Sequence, residues 1–302
     1  MVLPATSVHG RRQWLKTLRG SGLSTQFMVL GIVITALYIG IATLSPVLQS
    51  IGWLQSPTEF LNNPIYDPPS AAHWFGTDVQ GYDVFSRTMF GSQAALQVVV
   101  IATLFSLVIG VPLGLFSGYL GGRLDRVLLF LMDTIYTLPG LLLSVTVAFV
   151  VGRGILNAAI ALSVAYVPQY YRVVRNHTVS VKTELFIEAA QATGASPWRV
   201  LVKYLLLNVI QSVPVLFTLN AADAILTLAG LGFLGLGVSE EVPEWGHDLR
   251  QALSGLSTGG VWWTALFPGL AMTLLVVGLS LIGEGLNDFI NPLLRRNSWR
   301  QN

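Results

Sequence analysis

The sequence predicts an all-α integral membrane protein with six transmembrane helices, and three observations lead there. Charged residues make up 11% of the 302-residue chain and hydrophobic ones 53%, whereas an ordinary soluble domain carries about 25% charged residues. Mean hydropathy is +0.63. Apolar runs of roughly 20 residues, enough at about 1.5 Å per residue to cross a ~30 Å hydrocarbon core, recur along the chain. The absence of cysteine excludes disulfides, thiol catalysis and thiolate metal sites. A formal net charge of +2 is too small to suggest nucleic-acid binding.

Residues 1–24 read as a cytoplasmic N-terminal segment carrying Arg11, Arg12, Lys16 and Arg19. The paired arginines suit a basic anchor beside a span better than a twin-arginine export signal, because the apolar run that follows is long and further spans come later. Gly10 to Thr17 nearly spells a phosphate-binding loop, but Leu15 stands where a glycine must let backbone N–H groups approach phosphate, so nucleotide binding is rejected. The first transmembrane helix falls in 25–46 and Pro46 is expected to end it. Residues 47–94 form a long extracytoplasmic loop rich in proline, with Trp53 and Trp74.

Residues 95–290 make a five-helix core. Its first helix carries Gly110, Gly114, Gly118 and Gly122, one every fourth residue, which lines bare backbone along one face for close helix packing. The third span covers about 127–151, with Asp133 and Pro139 inside it. Gly152-Arg153-Gly154 is a tight turn, and the fourth span covers 155–171. A polar loop follows at 172–203. The fifth span covers 205–236 with Asp223 near its middle, residues 237–260 form a second polar connection, and the sixth span covers 261–282. Residues 291–302 close the chain as a tail with Arg295, Arg296 and Arg300. All of the 17 Lys and Arg except Arg87, Arg153 and Arg250 fall on the N-terminal segment, the 120s, the 172–203 loop and the tail. That bias predicts both termini and the large loop to be cytoplasmic.

The 172–203 loop has internal order. Leu185, Ala189 and Ala192 make an apolar stripe at helical spacing. Gly194 suits a left-handed helix terminus, Ser196 an N-cap and Pro197 a first helical position. These residues predict two short helices with a sharp turn between them, lying outside the membrane. They serve either as a dock for a cytoplasmic partner or as a structural helix at the interface.

Several stretches, in order, resemble the permease subunits of bacterial ABC importers of the dipeptide, oligopeptide and nickel family, C-type branch. They are Glu188-Ala189-Ala190 with Gly194; Phe75-Gly76-Thr77-Asp78 with Gly81, Asp83, Ser86 and Arg87; Gly110-Val111-Pro112-Leu113-Gly114; Phe233-Leu234-Gly235-Leu236-Gly237-Val238 with Pro243, Trp245 and Gly246; and Gly283-Glu284-Gly285-Leu286-Asn287-Asp288 before Asn291-Pro292. Tyr82, Leu207, Glu284 and Asn291 depart from the pattern. The resemblance implies the type I ABC importer permease fold. It implies translocation of peptides across the bacterial cytoplasmic (inner) membrane by a pore shared with a second homologous permease subunit. The partners it implies are two cytoplasmic ATP-binding subunits, which bind ATP and Mg, and an extracytoplasmic substrate-binding protein. The chain itself binds no cofactor on this reading and is no enzyme. The EAA loop becomes the coupling helix, with Glu188, Ala189, Ala190, Ala192, Gly194 and Pro197 docking an ATPase subunit. The substrate stays open among dipeptides, longer peptides, glutathione-like compounds and nickel chelates.

Other candidate sites follow from single residues. A carboxylate at mid-span is costly, at least ~2.5–3.5 kcal/mol on insertion scales. Asp223 is therefore either a translocation-path residue that meets a cationic group or a buried, hydrogen-bonded acid helped by Asn220. Asp133 suits snorkelling or interhelical hydrogen bonding, and Glu284 with Asp288 suits salt bridging or fold support. Asp78, Asp83, Glu244 and Trp245, with Glu240 and Glu241, offer a dock for the binding protein or else a solvated rim. Gly230-Leu231-Gly232-Phe233-Leu234-Gly235 matches a dinucleotide fingerprint but lies in an apolar helix, so close packing or a helix break is expected. The four histidines have no metal-ligand spacing.

Overall fold

The computed structural model describes residues 23–290, which are helical and joined by turns, with no strand among them. The basic residues 11–19 and Arg295, Arg296 and Arg300 lie outside the described residues, as do Asn291 and Pro292. Helix α1 spans Leu23–Ser50 and runs through Pro46 instead of ending there. A helical proline frees the carbonyl four residues back, and here Gln93 Nε2 donates to that carbonyl of Ala42 at 2.6 Å. The helix continues because another element supplies the missing donor.

Helix α2, Val84–Leu120, begins well before the expected span, because Asp83 caps it by accepting from the Ser86 backbone N–H at 2.8 Å. Its 37 residues make about 55 Å at 1.5 Å per residue, so one end stands beyond a ~30 Å core. The expected third span is broken: α3, Gly122–Tyr136, and α4, Gly140–Val151, meet at 92°. Pro139 cannot continue α3, and the residue before a proline is pushed out of the helical region. Helix α5, Ile155–Val181, runs past residue 171, so the polar loop begins with helical turns. Helix α6 is Leu185–Ala192. The long run α7, Pro197–Phe233, passes through a π turn at Val200–Leu205 and a 3-10 turn at Ile210–Ser212 before regular helix from Val213. Pro214, in the first turn of that regular stretch, lacks the N–H a continuous helix would need there. Helices α8, Trp245–Gly259, and α9, Trp263–Ile290, complete the set.

Helices α1, α2, α7 and α9 are long and apolar enough to cross a membrane, and the bent α3–α4 pair adds a fifth span if counted as one. Helix α5 packs against α2, α3, α4 and α7. Its closest partner is α2. A Cβ on Gly110, Gly114 or Gly118 would lie 2.6–2.8 Å from Tyr170 Cβ, the Tyr171 carbonyl or Thr178 Cβ, so the glycine ladder is the α2–α5 seam. Gly122 takes no part in it: it has φ +66 and turns the chain into α3.

One end of the bundle carries the α2–α3 turn, α6 and the start of α7. The other carries residues 51–83, the 152–154 turn and α8. At the second end the glycine-rich tip of α7 closes with two bonds, Leu236 N–H to the Leu231 carbonyl at 2.8 Å and Gly235 N–H to the Gly232 carbonyl at 2.9 Å. This is a Schellman terminus with Gly235 left-handed at φ +78. Gly232 meanwhile lets Glu244 and His247 approach its bare Cα. The fingerprint-like glycines thus serve helix termination and packing.

Candidate functional site

At the polar end, α6 and the start of α7 form one small ordered unit. Ala195 N–H donates to the Ala190 carbonyl at 3.0 Å and Gly194 N–H to the Gln191 carbonyl at 2.9 Å, a second Schellman terminus with Gly194 at φ +84. Ser196 Oγ then accepts from the Arg199 N–H at 3.4 Å, with Pro197 opening the next helix. The turn chemistry anticipated at Gly194, Ser196 and Pro197 is present atom by atom. The stripe of Leu185, Ala189 and Ala192 lies on the exposed side of α6, and Ile187 and Ala190 are its buried face. In an eight-residue helix resting on its neighbours, the inward face is set by which side chains meet the bundle, and periodicity alone offers two candidate stripes.

The outward face carries Leu185, 80% exposed, with Phe186, Glu188 and Ala189. Across the turn Trp198 is 65% exposed and stacks on Phe116 of α2 at 6.4 Å. Apolar side chains this exposed on a short, charge-bearing element mark an interaction surface. The unit is tied to the bundle from below. Lys182 Nζ donates to the Gly118 carbonyl at 2.9 Å. Arg175 grips Asp125 of α3 through Nε and Nη2, each at 2.6 Å, and Asp133 pairs with Arg172 at 3.1 Å. Asp133 therefore bridges α3 to α5. Asp288 accepts from Ser24 Oγ, which joins α9 to α1.

Asp223 sits midway along the regular part of α7 with its side chain exposed on the bundle flank. Tyr166 of α5 donates to its Oδ2 at 2.9 Å and lies 3.4 Å from Thr227 Oγ1. The same turn of α5, through Ala165 and Gln169, lines a cleft of about 330 Å³ at the α3–α4 elbow, with Tyr136, Pro139 and Gly140 opposite. The carboxylate and the oriented phenol thus pair between α7 and α5, beside the helical turn that lines the cleft but not within its lining. Tyr166 was not singled out from the sequence. Its signal would have been a tyrosine in an apolar helix whose hydroxyl needs a partner.

At the opposite end the four residues expected as a dock are buried: Asp78, Asp83, Glu244 and Trp245 present almost no surface. Asp78 Oδ1 accepts from the N–H groups of Gln80 and Tyr82 at 2.8 and 2.9 Å. Asp83 caps α2 and faces His73 at 3.4 Å. Glu244 caps α8 through the N–H groups of Gly246 and His247 at 2.8 and 2.9 Å. Trp245 donates to the Thr88 carbonyl at 3.0 Å. Acidic residues in a polar connection look like a rim, but here each satisfies backbone donors that folding buries. Burial pushes the carboxyl of Asp78 up to about 6 and that of Glu244 up to about 7, against the opposing pull of those N–H groups. At the centre lies Arg87, a residue of the family-like motif and a charge of the outer connection to which the sequence assigns no partner. Its Nε and Nη2 reach Asp248 Oδ1 at 3.0 and 2.7 Å, and Nη1 donates to the Pro57 carbonyl at 2.9 Å. Among the described residues no three His, Asp or Glu converge as metal ligands.

The sequence profile of the family described as binding-protein-dependent transport system inner membrane component matches residues 110–296. The chain is 35% identical to the dipeptide transport system permease protein DppC of Alkalihalophilus pseudofirmus, over 96% of this chain and 92% of that one. It is 36% identical to the glutathione transport system permease protein GsiD of Pectobacterium atrosepticum, over 75% of each chain. A probable D,D-dipeptide transport system permease protein, DdpC of Escherichia coli, is 36% identical over 74% of this chain and 75% of its own. Among solved structures, an inward-facing form of the MetNI methionine ABC transporter aligns with TM-score 0.52 and 22% identity over 66% of this chain and 93% of that one, a likeness of fold.

Proposed function

The chain belongs to the family of binding-protein-dependent transport system inner membrane components, and from that premise we propose that it is one permease half of an ATP-driven importer of peptides. It is a permease component and not itself an ATPase. The relatives named for dipeptide and glutathione transport support small peptides as cargo. The proposed pore has six spans in this chain, counting the α3–α4 elbow and α5 as one each. It is completed by a second homologous permease subunit, with both termini in the cytoplasm of a bacterial cell. An extracytoplasmic binding protein would deliver substrate, and two cytoplasmic ATPase subunits would bind ATP and Mg.

The observation that carries the reading is the exposed, pre-shaped α6 unit on the cation-rich end. Glu188, Ala189 and Ala192 would meet a groove of the ATPase subunit. Ala190, Gly194 and Pro197 would hold the shape that fits it. Because Ala190 is buried and Gly194 adopts φ +84, their contribution is geometry more than contact. Asp223 is assigned to the translocation path, where its carboxylate would receive the ammonium group of a peptide. With Asp78, Asp83, Glu244 and Trp245 buried, the binding protein would instead meet the exposed Glu240 and Glu241 beside Arg153.

The test is uptake of a radiolabelled dipeptide by proteoliposomes holding the complete complex. Gly194→Pro forces φ to about −65° and removes the N–H that closes the Schellman turn. It is expected to abolish ATP-driven uptake and to release the ATPase subunits on purification, with the permease still in the bilayer. Normal coupled uptake by Gly194→Pro would refute the assignment of α6.

A further inference from the structure

The polar segment between α1 and α2 carries an aromatic chain that none of the roles above uses. Trp53 meets Trp74 edge-on at 5.8 Å, and Trp74 meets Phe85 at 4.9 Å. Phe85 meets Phe75 at 4.9 Å, Phe75 stacks on Phe267 at 3.7 Å, and Phe267 meets Trp262 at 6.2 Å. These rings lace together the tips of three helices: Trp53 follows the end of α1, Phe85 opens α2, and Trp262 immediately precedes α9. The three tryptophans are nonetheless 63%, 54% and 51% exposed. Large indoles left this open in a ring network are not there to fill a core.

We infer that Trp53, Trp74 and Trp262 form an interfacial collar that lies in the headgroup boundary of the bilayer, so that the tryptophan-bearing side of residues 51–83 rests on the membrane while the rest of the segment faces water. Position argues for lipid over a soluble partner. Both flanking tryptophans adjoin the ends of apolar helices that cross the membrane, and α1, which Trp53 follows, has the least buried face of the four long apolar helices. Indoles favour this boundary because the ring is apolar and the N–H wants a polar partner. Charge argues the same way. Residues 51–83 hold no Lys or Arg, so the attachment is by ring insertion and needs no anionic lipid. Gly76 fits the scheme: a Cβ there would lie 2.6 Å from Trp263 Nε1, which donates to the Thr77 carbonyl at 3.0 Å and clips the segment to the start of α9.

The chain has no cysteine, so once any cysteines of the other subunits are replaced, single spin labels can be placed on it. Trp53→Cys, Trp74→Cys and Trp262→Cys, with Glu59→Cys as a same-segment control in water, would be labelled in the complete complex in phosphatidylcholine bilayers. Accessibility to oxygen and to a soluble nickel chelate would then be compared. The expected result is one common depth for the three collar sites, with chelate accessibility several-fold below that of residue 59 and unchanged by anionic lipid. Chelate accessibility equal to that at residue 59, or shielding that appears only when the soluble binding protein is added, would overturn the inference. Since the label replaces an indole, a second measurement keeps the native rings. Quenching of tryptophan emission by shallowly brominated phosphatidylcholine should drop clearly in the Trp53→Phe, Trp74→Phe, Trp262→Phe triple variant. Unchanged quenching would also overturn it.

Discussion

Replacing Arg87 by methionine isolates the force that holds the outer segment to the bundle. In the intact pair the side chains of Arg87 and Asp248 are 2% and 9% exposed and 2.7 Å apart. At an effective permittivity of about 20 that separation corresponds to an attraction of roughly 6 kcal/mol. Desolvation of each ion costs several kcal/mol, so the intact pair is close to neutral. Removing one partner keeps the cost and discards the attraction. Asp248 would be left buried, and the Pro57 carbonyl would lose its donor. The expected loss is about 3–5 kcal/mol, or a fall in thermal midpoint of roughly 6–20 °C at ~2–4 °C per kcal/mol. The assay is thermal unfolding of the purified complex in nanodiscs. Arg87→Met with Asp248→Leu should recover most of the loss, because neither charge is then stranded. A midpoint unchanged in the single variant, or a double variant no better than the single, would refute this account.

Three further outcomes are expected. Gly114→Val should prevent folded accumulation in the membrane, since its Cβ would meet the Tyr171 carbonyl at 2.6 Å and the Arg175 N–H nitrogen at 3.0 Å, backbone that cannot step aside; Gly40→Ala, with nothing within 4 Å, should be neutral in the same immunoblot. Glu244 has a folded-state pKa raised from 4.5 to about 7, so the stability it contributes is present in full below about 4.5 and is lost as pH rises through 7. Over that window the loss is at most roughly 3 kcal/mol, and thermal midpoints measured from pH 4.5 to 8 should show a slope that Glu244→Gln reduces, most clearly near pH 7, above the Asp78 value of about 6. Asp223→Asn should lower uptake of a dipeptide with a free amino terminus several-fold more than uptake of its N-acetyl form; equal effects on the two would remove Asp223 from cargo recognition.

Local features were legible in the chain because their causes are local. The Gly194 terminus, the Ser196 cap and the Pro197 start each depend on residues within one helical turn, and each has the geometry its residue type demands. The four-residue glycine spacing announced a close seam without naming the partner, and Gly122 was counted into it although its φ of +66 belongs to a turn. The stripe in α6 does not say which face packs inward, because Leu185 and Ile187 are equally apolar. Which one is buried depends on the helices beneath.

Composition and hydropathy by themselves determined that this is a helical membrane protein, and ordered motifs placed the α6 unit in its middle. These properties sum over short windows. The tertiary structure alone decided which prolines matter: Pro139 breaks a span, while Pro46 sits in an unbroken helix because Gln93, far along the chain, donates to the carbonyl it frees. It alone decided that Asp78, Asp83 and Glu244 face inward. It also joined Arg87 to Asp248 across 161 positions. A charge in a polar connection carries no mark of whether its partner is water or another side chain, and that choice is made only when distant helix ends are brought together and the water between them is expelled.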